Sequence, residues 1–240
     1  MTTKVGQPDF YTDEEPLNYD QKCPVVIVID RSGSMSGDPI DECNKGLKLF
    51  ETEVPKDATC KARLDIAVVS FGSDTKIERD FGLIEQAPMP QLVINGSTKM
   101  VDALNVAIEI LDKRKMWYRE TGQNYYRPYL ILITDGAPDV DQDISGISAR
   151  LKMMASGKHF NFWPIAVEGA NMEVMQQLST YVKDGEKGNG SLPPMMLDGI
   201  EFVKLFKFLS NSFRKITNSQ QGDKIDFTPG SNDNPFVFNS

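Results

Sequence analysis

The chain has 240 residues and a formal net charge of −8, and 40% of its residues are hydrophobic. A chain of this length and composition can bury a core without disulfides, which argues against a disordered or fibrous protein. The acidic balance disfavours nucleic acid and anionic membranes as partners, because both carry negative charge. No stretch approaches the roughly 20 consecutive apolar residues that cross a bilayer, so we expect no membrane partner.

The N-terminal segment and the cysteine content favour a cytoplasmic protein. Residues 1–20 are polar and acidic and lack the apolar stretch of a secretory signal. Cys23, Cys43 and Cys60 are an odd number of cysteines without a close pairing motif. This pattern predicts three free, buried thiols in a reducing compartment.

Four short apolar runs predict strands that are buried on both faces of a parallel sheet. Each run is rich in β-branched or aromatic residues, and the runs span residues 23–29, 64–71, 129–134 and 160–167. Residues 75–81 follow the second run after a short turn and roughly alternate between polar and apolar side chains. This alternation predicts one antiparallel edge strand.

Three segments between or after these runs carry apolar residues at helical spacing. They span residues 38–53, 98–117 and 203–216. Because strands alternate with helices, the sequence predicts an α/β fold. We expect a doubly wound, mainly parallel central sheet with helices on both faces.

The chain divides into one domain and two tails. We expect an N-terminal tail over residues 1–22, a domain over residues 23–217 and a C-terminal tail over residues 218–240. The C-terminal tail ends in three consecutive apolar residues, Phe236, Val237 and Phe238. This run either docks on the domain or pairs with a sheet edge, and a frayed terminus is the alternative.

Oxygen-bearing side chains gather where ligands bind in such a sheet, beyond the carboxyl ends of the strands. Asp30, Ser32 and Ser34 follow the first strand, and Asp135 follows the strand at residues 129–134. Thr98 stands before the second helix in a glycine-containing loop. Oxygen donors alone suit Mg²⁺, Ca²⁺ or Mn²⁺ rather than zinc. These five residues are the candidate metal site.

The order of these pieces resembles the metal-ion-dependent adhesion site of von Willebrand factor A domains. The resemblance covers roughly residues 23–217. The strings at residues 30–40, 134–138 and 202–210 resemble small bacterial A-domain proteins associated with tellurium resistance. The chain departs from the family at Val101, where many members have glycine, but no ligand is lost.

The resemblance implies a role for each site residue. Ser32, Ser34 and Thr98 would reach the ion through hydroxyls, some of them through water. Asp30 and Asp135 would hold those hydroxyls and waters, or one of them would coordinate directly. Neutral hydroxyls leave much of the ion's charge uncompensated, so an Asp or Glu of a protein partner completes the shell. The resemblance implies a metal-dependent protein interaction module rather than an enzyme, in a bacterial stress or tellurite-resistance context.

Two enzyme readings compete with this interpretation. A Mg²⁺-dependent phosphohydrolase of the haloacid-dehalogenase type also uses an acid after the first strand, but it needs a second Asp where this chain has Ser32. Residues 33–37 nearly match a hydrolase nucleophile elbow, yet the sole histidine, His159, is expected at the opposite end of a strand. The acidic residues 139–143 fail as a calcium loop, and we expect an acidic rim and a helix N-cap there.

Overall fold

The computed structural model describes residues 14–135, 138–181, 191–220, 223, 225, 227 and 234–237. Within these residues seven strands form one sheet. They are β1 (Cys23–Asp30), β2 (Leu64–Phe71), β3 (Thr75–Leu83), β4 (Tyr129–Thr134), β5 (Asn161–Ala166), β6 (Met195–Leu197) and β7 (Phe236–Val237). The strand order is β3-β2-β1-β4-β5-β6-β7.

The sheet is parallel at its centre and antiparallel at both edges. Strands β1, β2, β4 and β5 are buried along their whole length, and β1 lies parallel to both β2 and β4. The predicted antiparallel edge strand is confirmed as β3. The expectation of a single such strand is corrected by β7, which pairs antiparallel with β6. These two strands have three and two residues, which is too short for a visible period.

Helices cover both faces of the sheet, as predicted. One face packs against α1 (Asp38–Glu53), α2 (Ala58–Arg63) and α6 (Phe202–Thr217), and the other against α3 (Met100–Glu120), α4 (Ile144–Ser156) and α5 (Met172–Leu178). Successive β1 side chains alternate between these two cores, because the side-chain period of a strand is two. No helix in the described ranges combines the length and hydropathy needed to cross a bilayer.

Helices α1 and α6 approach closely at Gly46. A Cβ atom at this position would overlap a ring carbon of Phe206 and lie 2.9 Å from the carbonyl oxygen of Phe202. The aromatic side chains of α6 therefore use the space above this glycine. Phe50, one turn further along α1, meets the Phe206 ring edge-on with the centroids 6.0 Å apart.

The C-terminal segment pairs with the sheet edge as β7, which confirms the expectation that this run docks or pairs rather than frays. Phe236 is buried, and its ring lies edge-on to Phe208 with the centroids 5.2 Å apart. Phe227 makes a similar contact with Trp163 at 5.1 Å. Phe238 lies outside the described residues. Aromatic burial thus holds this segment against the domain.

A buried charged cluster lies at the amino end of β2, opposite the candidate site. Arg114 of α3 donates to Asp65 at 2.8 Å and to Glu14 at 2.8 Å. The Tyr118 hydroxyl also donates to Asp65, at 2.5 Å. The Arg114 guanidinium lies 3.8 Å from the centre of the Trp117 ring. This cluster ties α3 and residues near the N-terminus to the sheet.

All three cysteines are free, buried thiols, as the sequence predicts. Burial raises the pKa of each thiol above its ordinary value. The protonated form therefore dominates, and these groups act as small apolar core residues.

Candidate metal centre

The candidate site lies where the winding of the sheet reverses. Strand β1 connects through α1 to β2 on one side, while its other neighbour, β4, follows α3. In the register of the sheet, Ile29 of β1 lies beside Ile133 of β4. Asp30 and Asp135 leave these adjacent strands at the same end, where loops diverge and leave room for a ligand.

Asp30 is fully buried and holds the loop that follows it. The Ser32 amide donates to Asp30 Oδ1 at 2.8 Å, and the Thr134 hydroxyl donates to Asp30 Oδ2 at 2.6 Å. Both carboxylate oxygens are thus engaged by β1, β4 and their loops. Asp30 therefore fixes the position of the serine loop against β4.

The two serines and the second acid form a chain of hydrogen bonds. The Ser34 hydroxyl donates to Asp135 Oδ1 at 2.8 Å, and the Ser32 and Ser34 hydroxyl oxygens lie 2.9 Å apart. Ser32 is buried, whereas Ser34 is exposed. Three oxygens from two separate loops therefore converge at a position that solvent can reach.

The loop that carries Thr98 is joined to the serine loop by backbone hydrogen bonds. The Gly33 amide donates to the Gly96 carbonyl oxygen at 2.8 Å, and the Asn95 amide donates to the Arg31 carbonyl oxygen at 2.7 Å. Thr98 itself is buried at the start of α3. Four members of the sequence-predicted set are therefore joined by hydrogen bonds, and the loop of the fifth, Thr98, is bonded to the serine loop.

The two acids of the site share a buried environment. Burial raises the pKa of Asp30 from 3.8 to about 6, against the hydrogen bonds from Ser32 and Thr134, and the Asp135 carboxylate adds to the rise. Burial also raises the pKa of Asp135. Among the described residues, no Lys or Arg pairs with either acid. Within the described part of the chain, neither carboxylate is therefore compensated by a side-chain cation.

The donor set fits a divalent cation. It offers hydroxyl and carboxylate oxygens only, which suit hard cations such as Mg²⁺, Ca²⁺ and Mn²⁺. Within the described part of the chain, no group of three or more His, Cys, Asp or Glu residues could hold a metal ion. The hydroxyls are therefore needed to complete any shell here.

Arg31, which lies between two candidate site residues, is directed away from the acids. It is buried, its Nε donates to Ser70 Oγ at 2.8 Å, and it forms an ion pair with Asp74. Asn95 also donates to Asp74, at 2.6 Å. Through Asp74, Arg31 thus links the serine loop to the loop that carries Asn95 and Thr98, a role that no sequence pattern indicates.

The acidic turn after β4 has a second role that the sequence analysis missed. Asp143 caps α4 by accepting from the Gly146 amide at 2.8 Å, as predicted. Asp139 and Gln142, however, bond back to Thr98 and to the first turn of α3. The partners lie 41 and 44 residues apart, so no local spacing rule could have found them.

The features of the enzyme readings do not meet at this site. His159 is exposed and precedes β5, at the amino end of the parallel strands and opposite the carboxyl ends that carry the candidate site. Ser32 stands where a phosphohydrolase would need its second acid, and its hydroxyl lies beside that of Ser34.

Comparison with known proteins places residues 25–187 within the model of the von Willebrand factor type A domain. Similar solved structures include the ArnB paralog VWA2 from Sulfolobus acidocaldarius, with 16% identity, 81% of this chain and 46% of that chain covered, and a TM-score of 0.53. Proximal thread matrix protein 1 from the mussel byssus, with a zinc-occupied MIDAS motif, has 15% identity and a TM-score of 0.53, with 81% of this chain and 48% of that chain covered. The manganese-loaded TRAP protein of Plasmodium vivax has 16% identity and a TM-score of 0.51, with 77% of this chain and 72% of that chain covered.

At these identities the structural likeness establishes the fold. The chain spans about half the length of the VWA2 and thread matrix proteins. A search of curated proteins finds no match.

Proposed function

Because the chain belongs to the von Willebrand factor type A domain family, whose members typically mediate metal-dependent protein interactions, we propose that it binds a protein partner through a divalent cation. The cation, Mg²⁺ in this proposal, is held by five residues. They are Asp30, Ser32, Ser34, Thr98 and Asp135.

The observation that carries the proposal is the hydrogen-bonded chain from Ser32 through Ser34 to Asp135, beside the buried Asp30. These oxygens already converge, so little reorganisation is needed to direct them at one ion. When bound, the cation supplies an open coordination position for an oxygen of the partner. The hydroxyls are neutral, and they leave that position attractive to a carboxylate.

The surroundings of the site indicate which partner fits. Asp38 is exposed at the start of α1, which follows the serine loop, and Asp141 and Asp143 are exposed between β4 and α4. The whole chain carries a charge of −8. An acidic partner surface would be repelled by this rim. We therefore propose that the partner presents one Asp or Glu within a basic surround, and that the rim provides the specificity.

Metal binding is tested first, without a partner. Titration calorimetry with MgCl₂ or MnCl₂ should show one site in the wild type and none in Asp135→Ala, because that change removes an acid from the oxygen cluster. The exposed Asp141→Ala removes the same charge from the rim and is the matched control. Unchanged affinity in Asp135→Ala would refute the assignment.

Partner binding is tested by capture from host extract with Mg²⁺ and with chelator. The specific partner should be retained only with Mg²⁺ and should be lost with Ser34→Ala, whereas the exposed Lys99→Ala should retain most of it. A partner that binds equally well in chelator would use another face of the domain.

We propose interaction rather than catalysis, with a phosphohydrolase as the alternative. Generic phosphate esters with Mg²⁺ should give no turnover above background, whereas turnover that Asp30→Asn abolishes would favour the enzyme. We further propose that the chain is a cytoplasmic protein of a bacterial stress or tellurite response, with residues 23–217 as its functional domain.

A further inference from the structure

The turn from Asp139 to Gln142 is fastened to the loop that carries Thr98. The Thr98 amide donates to Asp139 Oδ1 at 3.2 Å, and the Asp139 amide donates to the Thr98 carbonyl oxygen at 3.3 Å. The Gln142 side-chain amide donates to that same carbonyl oxygen. Both polar backbone groups of Thr98 are thus held by one turn. We name this arrangement the 139–142 clasp.

The clasp also supplies the cap that α3 lacks. Lys99 stands at the N-cap position and makes no side-chain cap hydrogen bond. Gln142 Oε1 instead accepts from the Val101 amide at 2.7 Å. One side chain therefore bonds to the residue before the N-cap and to the first turn of the helix, which fixes the path of the chain between them.

We propose that Asp139 and Gln142 are positioning residues that set the metal affinity of the candidate centre by holding Thr98 in place. The inference rests on the proposed function. It goes further by assigning a role to two residues that would not touch the ion. The Ser32 and Ser34 hydroxyls are hydrogen-bonded to each other and to Asp135, whereas Thr98 is held through its backbone groups. The position of its hydroxyl therefore depends on the contacts of its loop.

The physical basis is preorganisation of the ligand. A hydroxyl that is already in place binds an ion without losing conformational freedom, whereas a mobile one must be ordered during binding. Groups that orient metal ligands typically change the affinity by about 10- to 100-fold when they are removed. Residues 139–142 belong to the same connection between β4 and α4 as Asp135. The clasp therefore joins the two loops that supply Thr98 and Asp135.

The test measures Mn²⁺ affinity by titration calorimetry. Gln142→Ala leaves the charge unchanged and should weaken binding by about tenfold, with the stoichiometry still one. Asp139→Ala should weaken binding similarly, and Asp139→Asn should restore part of the affinity, because Asn keeps an acceptor for the Thr98 amide. Asp141→Asn, on the same turn but exposed, reports the effect of charge alone.

A second measurement separates positioning from general loss of structure. In chelator, hydrogen exchange at the Thr98 and Val101 amides should accelerate in Gln142→Ala, while exchange in β1 and β4 stays as in the wild type. If Gln142→Ala folds poorly, Gln142→Glu serves instead, since an ionised carboxylate can accept from Val101 but cannot donate to the Thr98 carbonyl.

The outcomes separate this inference from the proposed function. Wild-type Mn²⁺ affinity in both Gln142→Ala and Asp139→Ala, together with loss of binding in Asp135→Ala, would overturn the clasp and leave the metal site standing. Unchanged affinity in Asp135→Ala would place the ion elsewhere and remove the basis of both. Equal losses of Mn²⁺ affinity in Asp139→Asn and Asp141→Asn would show that Asp139 acts only through its charge, which would overturn its positioning role.

Discussion

Replacing Asp30 by Asn should stabilise the metal-free protein. Asp30 is buried, and its carboxylate has no Lys or Arg partner among the described residues. Asn keeps an acceptor for the Ser32 amide, and its own amide can donate to the Thr134 hydroxyl, which accepts as well as donates. The change therefore removes a buried charge and preserves the hydrogen bonds around it.

The size of the effect follows from the pKa of Asp30. Burial raises this pKa from 3.8 to about 6, which at about 1.4 kcal/mol per pKa unit is a penalty of roughly 3 kcal/mol once the carboxylate is ionised. Because the folded state binds the proton more tightly than the unfolded state, the stability that Asp30 contributes is present below pH 4. It is lost as the pH rises through about 6.

Urea unfolding in EDTA, measured from pH 4 to pH 8, tests this prediction. The stabilities of wild type and Asp30→Asn should nearly coincide at pH 4 and diverge by roughly 3 kcal/mol at pH 8, which is a Tm difference of about 6–12 °C for a chain of this size. Mg²⁺ should narrow the gap by stabilising only the wild type. An Asn variant that is less stable than the wild type at pH 8 in EDTA would refute this reasoning.

Three further experiments test the fold and the thiols. Gly46→Ala should destabilise by about 1–3 kcal/mol in urea titration, because its methyl group would overlap the α6 ring, while Lys45→Ala on the exposed side should change stability little. Arg114→Ala should cost about 3–5 kcal/mol in the same assay, because Asp65 is left buried without its partner, whereas the exposed Arg119→Ala should have little effect. Burial raises the pKa of all three thiols, so a thiol reagent at pH 8 should label none in the native protein and all three in urea.

The sequence predicted those parts of the fold that have long, regular patterns. Strands β2 and β4 and helix α1 have the predicted bounds, because continuous burial or helical spacing is sustained over six or more residues. Strand β6 was missed because its three residues carry no period. Pairing of the Phe236 segment with a sheet edge was among the predicted outcomes, since its apolar character does not depend on periodicity.

The closeness of four candidate residues was predictable from chain order. Asp30, Ser32 and Ser34 lie within five residues, and Asp135 follows a strand that pairs with β1, so the sheet brings them together. The clasp was not predictable, because its partners come from a turn and a helix start that are distant in sequence. Gln142 belongs to no motif, and only the folded chain shows what it holds.

The position of the serine loop at the end of β1 determines how the domain would carry a mechanical load. Force applied by a partner on this loop and resisted at the N-terminal side would run along the covalent backbone of β1. Force resisted at α6, which follows β6, would instead have to cross the sheet from β1 through β4 and β5, loading the hydrogen bonds between these strands in shear. Because β1 pairs with β4 at five positions and β4 pairs with β5 at six, several bonds would have to yield at once. The parallel centre of the sheet would therefore resist a pull on the serine loop that is taken up at α6.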